Sequence, residues 1–185
     1  LEVMKPWIEK ELGNINKSTE IVFYPFSGPD FAYMYSFLPT ANTYYMVALE
    51  PVGIIPEMSK IGNSMNSFFG ALNSAIRDNL KLSFFITKSM KVQMNNEQIQ
   101  GTIPVLLFYM ARMNMHIQDI KPVTISKDGK QIVDESNALV SNKKFTNGVE
   151  ISFIRPGENT ISKLYYYSVS IRNDGFESMP QAETY

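Results

Sequence analysis

The sequence predicts an α/β fold that opens with a Rossmann-like β-loop-α-β unit and continues into a mixed sheet with flanking helices and C-terminal antiparallel hairpins. Three observations carry that prediction. Apolar runs at 20–26 and 43–49 bracket a short aromatic segment at 31–38, with turn residues between them. Two stretches of helical period follow, at 56–82 and from Gly101 to Met113. Beyond residue 120 the chain reads as strand pairs, each joined through a glycine-containing turn.

Each element has a local reason. Lys5 to Leu12 reads as a short amphipathic helix, with Pro6 in its first turn, Trp7, Ile8 and Leu12 along one side, and Gly13 as its stop. Trp7 is expected to be a packing anchor. Asn14 to Thr19 reads as a polar connector, and its Asn16-Lys17-Ser18 matches a glycosylation acceptor, a pattern that arises often by chance. Glu20 to Phe26 and Thr43 to Leu49 are apolar on both faces, the mark of central strands covered on both sides. Phe31 to Leu38 forms the helix between them and ends at Pro39. Two parallel strands joined this way should cross over right-handedly.

From Pro56 to Leu82, Ile61, Met65, Phe68, Phe69, Leu72, Ile76 and Leu80 recur at helical spacing, so this helix faces the core. Ser83 to Met94 fits a strand or a helix equally. Thr102 caps the next helix with Pro104 near its first turn, and Val105 to Met113 is apolar nearly all round, which predicts burial. Val123-Thr124-Ile125 and Gln131-Ile132-Val133 flank Lys127-Asp128-Gly129-Lys130, a strong hairpin signal. Asp134 to Asn147 is a polar loop. Gly148 to Arg155 and Ile161 to Ile171 pair through Pro156-Gly157-Glu158-Asn159, and Tyr165, Tyr166 and Tyr167 put phenols on both sheet faces. The tail from Asn173 reads as weakly structured.

Composition narrows the partners. At 185 residues the chain fits one domain, 1–185, with no repeat or linker to divide it. A net charge of −1 with scattered basic residues argues against nucleic acid or an anionic membrane surface. The absence of cysteine removes disulfides, thiolate metal sites and a cysteine nucleophile. The longest apolar run, Pro104 to Ala111, falls well short of the roughly 18–20 residues a bilayer span needs. Opening at Leu1 rather than Met suggests that an N-terminal segment was removed.

The candidate site is the turn Tyr24-Pro25-Phe26-Ser27-Gly28-Pro29-Asp30. Pro25 ends normal strand pairing, Gly28 is able to take positive φ, and Pro29 suits a first helical turn. Ser27 or Gly28 would then be the N-cap, with Asp30 in the first turn gaining roughly 0.3–1 kcal/mol from the helix dipole. Free amides at such a turn attract anions, although the charge of Asp30 competes. Glu50 follows the second strand, where Rossmann folds place an acidic residue on a ribose; the single glycine of the turn departs from that fingerprint. Tyr24, Ser27, Gly28, Asp30, Tyr33 and Glu50 are therefore expected to line one crevice that binds a small molecule or a protein partner. No cofactor follows from the sequence.

These blocks also form a series. The YPFSGPD turn, Leu49-Glu50-Pro51-Val52-Gly53, Ser83-Phe84-Phe85-Ile86-Thr87 and Gly101-Thr102-Ile103-Pro104 together resemble a family of uncharacterised bacterial proteins, often exported or lipid-anchored, in which they recur in this order. The resemblance covers most of the chain. It implies a bacterial envelope or periplasmic location and a chain continuing past Tyr185, but it brings no activity and no catalytic residues.

Chemistry is weakly encoded. His116, the sole histidine, is expected to cap or pack at the end of an apolar helix, and no paired-histidine metal motif exists. Ser27 with His116 and Asp30, Asp119 or Glu50 would make a triad, but Phe-Ser-Gly-Pro lacks the Gly-x-Ser-x-Gly elbow. Asp30 and Glu50 as an acid–base pair is the remaining catalytic arrangement. A Rossmann-like enzyme acting on a nucleotide or ester is thus the alternative to a binding domain, and an envelope scaffold is the third reading.

Overall fold

The computed structural model describes residues 2–26, 28–55, 65–81, 101–125, 131–133 and 148–169. In chain order these form α1 (Lys5–Ser18), β1 (Ile21–Tyr24), α2 (Phe31–Phe37), β2 (Thr43–Ala48), α3 (Met65–Lys81), α4 (Ile103–Arg112), β3 (His116–Ile125), β4 (Gln131–Val133), β5 (Gly148–Ile154) and β6 (Ile161–Ser168). The strands make one mixed sheet in the order β1-β2-β6-β5-β3-β4. β1, β2 and β6 are parallel neighbours, and β6-β5, β5-β3 and β3-β4 are antiparallel. The α/β class, the mixed sheet and the antiparallel pairs near the C-terminus are as expected.

Pairing register decides the two faces. Val22, Tyr44, Met46, Leu164, Tyr166, Ile151 and Phe153 fall on one face and pack with Phe31 and Met34 of α2, Phe68, Leu72 and Ile76 of α3, and Ile103, Leu106 and Met110 of α4. Each large side chain so buried contributes roughly 1.5–3 kcal/mol. Tyr165, Tyr167, Val123 and Ile125 form a smaller cluster on the other face, with Tyr45 stacked on Tyr165 at 4.9 Å. The three consecutive tyrosines do divide between the faces.

Several expectations need correcting. β1 is not a central strand: it lies at the edge of the described sheet, with Ile21 63 % and Phe23 57 % exposed. β2 is buried on one face only, with alternate residues half-buried. β-branched and aromatic residues favour strands at either place, so their run does not tell an edge from a centre. α1 does not stop at Gly13 but runs on to Ser18, replacing the expected connector. Tertiary contacts outweigh the helix penalty of about 1 kcal/mol for glycine: Ile8 is buried, Trp7 meets Phe37 edge-on, and Asn16 Nδ2 donates to the Phe37 carbonyl at 3.0 Å. Within α3, Met65 and Phe69 are exposed, while Phe68, Leu72 and Ile76 carry the core contact. His116 opens β3 and is exposed, so it neither caps nor packs a helix. The Ser83–Met94 segment, the Lys127–Lys130 turn, the Asp134–Asn147 loop and the tail from Asn173 lie outside the described residues.

Arg155 ties the far end of the sheet together. It is buried, and its Nη1 donates to the carbonyls of Pro39 (2.7 Å) and Ala41 (3.0 Å), its Nη2 to Asn42 Oδ1 (3.1 Å), and its Nε to Glu158 (2.9 Å). This joins the β5–β6 turn to the α2–β2 loop, two segments far apart in sequence.

Candidate functional site

Parallel β1, β2 and β6 point their carboxyl ends at one edge, the edge at which open α/β sheets place ligands. β1 ends at Tyr24, and after Pro25 the chain folds into a 3-10 turn, Gly28–Asp30, that leads into α2. Gly28 takes no positive φ. Its need for glycine is steric: a Cβ there would lie 2.7 Å from the Tyr166 ring and 2.8 Å from Thr102 Cγ2. Asp30, not Ser27 or Gly28, holds the N-cap position, and its side chain makes no capping bond. The Asp30 carboxylate instead accepts from the Tyr24 hydroxyl, Oη to Oδ2 at 3.2 Å. Burial first, and then Asp30 itself, push the Tyr24 phenol far above its ordinary pKa, so Tyr24 stays a protonated donor.

Glu50 sits two residues beyond β2. It is 1 % exposed and Asp30 is 3 % exposed. Glu50 Oε2 accepts from the Gly28 N–H at 3.4 Å, which joins the turn after β1 to the end of β2. Its backbone carbonyl accepts from the Tyr166 hydroxyl at 2.5 Å. Tyr166, wholly buried on β6, has its pKa raised by burial and then by the Glu50 charge, while the Thr102 hydroxyl pulls the other way. Thr102 holds the N-cap position of α4, as expected, but its side chain makes no capping bond. It is held by long-range bonds: its N–H donates to the Pro51 and Val52 carbonyls, at 2.9 and 3.0 Å, and its Oγ1 to the Pro51 carbonyl at 3.0 Å. Gly101 makes this docking feasible, with φ +86° and its Cα against the Gly53 backbone.

Of the expected site residues, Tyr24 contacts Asp30 and Gly28 contacts Glu50, and the Gly28–Asp30 turn connects the two pairs. Tyr33 lies on α2, half-buried. Ser27 falls outside the described residues. Tyr166 and Thr102 were not foreseen as site residues. Tyr166 bonds to a residue 116 positions away and Thr102 to one 51 away, and no local pattern reports contacts at such separations.

The arrangement also bears on the anion-binding idea. The Gly28 amide, a donor that a phosphate would use, is given to the protein's own carboxylate. The side chains that come together at this edge are therefore two buried carboxylates, Asp30 and Glu50, and the phenol of Tyr24. Asn16 of the glycosylation-like triplet sits inside α1 with its Nδ2 donated to Phe37, so its amide nitrogen serves packing. Among the described residues, no three His, Cys, Asp or Glu side chains gather as a metal site, and no helix is long and apolar enough to cross a membrane. Compared with protein-family models, curated proteins and solved structures, the chain matches none.

Proposed function

We propose that this domain binds a small molecule rich in hydrogen-bond donors, a polyol or an amine, at the edge formed by Gly28, Asp30 and Glu50. The observation that carries the reading is the burial of two carboxylates, from turns after adjacent parallel strands, at the edge where open α/β sheets generally place ligands. Burying a carboxylate costs several kcal/mol before compensation, and an apolar residue would fill either place more cheaply for folding alone. Carboxylates select donors. Tyr24 holds the Asp30 carboxylate from one side, and Tyr33 on α2 would serve as a wall.

The rival, a Rossmann-like enzyme on a nucleotide, requires the turn amides for phosphate, and at the Gly28 amide a phosphate would meet the Glu50 carboxylate, 3.4 Å away. Thermal-shift screening separates the two. A sugar, polyol or amine present at about 100 times its Kd should stabilise the wild type by about 2.7 kcal/mol, a rise in Tm of roughly 5–10 °C. Asp30→Asn and Glu50→Gln should abolish the rise while remaining folded. A shift with nucleotides alone would favour the rival, and no shift with any donor-bearing compound would refute the proposal. From the resemblance of the four sequence blocks we further propose a bacterial envelope location; recovery in the cytoplasmic fraction of the native host would refute it.

A further inference from the structure

β1 lies at an edge of the described sheet, with β2 on its inner side. The Thr43 N–H donates to the Glu20 carbonyl at 3.1 Å, and Ile21 stands opposite Thr43. In a parallel ladder the backbone groups of successive residues alternate between the two sides of a strand, so Glu20, Val22 and Tyr24 turn theirs toward β2. Ile21 and Phe23 turn theirs outward. The side chains of these two residues are 63 % and 57 % exposed, on the face away from α2, α3 and α4. The edge thus combines four outward backbone groups with two large apolar side chains. Sheet edges are ordinarily blunted by a lysine, a proline, a bulge or a covering segment. Ile21-Val22-Phe23-Tyr24 carries no charge and no proline, and its pairing with β2 runs without a register shift. Its shortness is what limits pairing.

We infer that β1 pairs antiparallel with β1 of a second copy of this chain, across a two-fold axis through Val22. One register satisfies both strands. Ile21 opposite Phe23 of the second copy, and Phe23 opposite its Ile21, join all the outward groups of both strands, with the two Val22 residues facing each other between them. Sliding the register by two residues keeps only one such pair within the strands. The axis is normal to the sheet, so each face continues into the same face of the copy. Phe23, in line with Tyr45 and Tyr165 across β2 and β6, meets Ile21, an aromatic and β-branched pair of the kind that stabilises sheets. Each Glu20 falls opposite a Tyr24, so the two carboxylates sit at opposite ends of the contact and no like charges oppose. A second copy is the occupant because the strand is its own complement, and the two-fold closes the assembly at a dimer. With so few residues on each side, the dimer is a weak one. The inference does not depend on what Asp30 and Glu50 bind.

Sedimentation equilibrium of the whole chain, from about 10 µM to about 1 mM, should show a reversible monomer–dimer equilibrium. Phe23→Lys places a charge on the pairing edge and should raise the dimer Kd about 10-fold or more. Ile21→Pro removes an outward N–H at the first residue of an edge strand, a place that tolerates proline, and should do the same while the β2 ladder stays intact. Ile161→Lys, at a residue 54 % exposed on β6, is the control and should leave the Kd unchanged. A wild type that stays monomeric throughout would overturn the inference, and so would a dimer that both edge variants form as readily. Hydrogen exchange of the wild type decides the matter where a variant does not fold. At about ten times the dimer Kd, about four-fifths of the chains are paired, and the Ile21 and Phe23 amides should exchange about fivefold slower than in dilute protein. Rates at these two amides that ignore protein concentration, in a chain that dimerises, would put the contact elsewhere and overturn the inference.

Discussion

Replacing Gly101 by alanine tests how α4 docks against the end of β2. Gly101 has φ +86°, and a Cβ built there falls 2.3 Å from Gly53 Cα and 2.4 Å from Gly53 N. Both are backbone atoms, so no side-chain rotation relieves the contact. Three bonds depend on the same approach: Thr102 N–H to the Pro51 and Val52 carbonyls, and Ile103 N–H to the Val52 carbonyl at 3.1 Å. Left-handed backbone costs an alanine about 1–2 kcal/mol. Overpacking adds about 1–3 kcal/mol, and each weakened backbone bond about 1 kcal/mol or less. The expected loss is about 3–5 kcal/mol. With an m-value of about 2 kcal/mol/M, the urea midpoint should fall by about 1.5–2.5 M. Gly157→Ala is the matched control, because φ is +78° there and nothing lies within 4 Å of the added Cβ. It should lose only the conformational cost of about 1–2 kcal/mol. If the two variants unfold at the same urea concentration, the packing argument is wrong, and Gly101 matters for its φ alone.

Two further perturbations follow from other contacts. Arg155→Met leaves the Pro39 and Ala41 carbonyls without their guanidinium donor and should cost about 3 kcal/mol in urea unfolding; a loss under 1 kcal/mol would mean that the clamp is idle. Burial pulls the Glu150 carboxyl up in pKa, but hydrogen bonds from Lys163 (3.0 Å) and Tyr165 outweigh it, so the carboxyl ends below its ordinary value. A depressed folded-state pKa contributes stability above the unfolded pKa and loses it as pH falls through the folded one. Glu150→Gln should therefore flatten the acid limb of the stability curve below about pH 4.5, by about 1 kcal/mol or less because Lys163 is half-exposed. An unchanged limb would show the pair to be without effect.

Legibility differed by kind of feature. The helical stripe of Phe68, Leu72 and Ile76 and the apolar segment Ile103 to Met110 announced buried helices, because a 3.6-residue period survives in one dimension. The pairs β3–β4 and β5–β6 were readable for a similar reason, since a short turn fixes its own partner. The α1 boundary was misread because Gly13 acts locally, whereas Asn16 and Trp7 act through Phe37 in another helix. Within the site, the adjacency of the Gly28 turn and Glu50 followed from the β-loop-α-β order, but their burial did not.

The residues alone determined the two core-facing helices α3 and α4, that the first two strands run in parallel, and that Asp30 and Glu50 follow them. Tertiary structure decided that β6 returns to lie beside β2, that β1 is left at the sheet edge, and that Tyr166 becomes the seat of Gly28. Local pattern reports a residue's preference for a conformation and for water. It carries no information on which distant strand completes a sheet, and in this protein that choice is what brings Tyr166 against Gly28 and onto the Glu50 carbonyl.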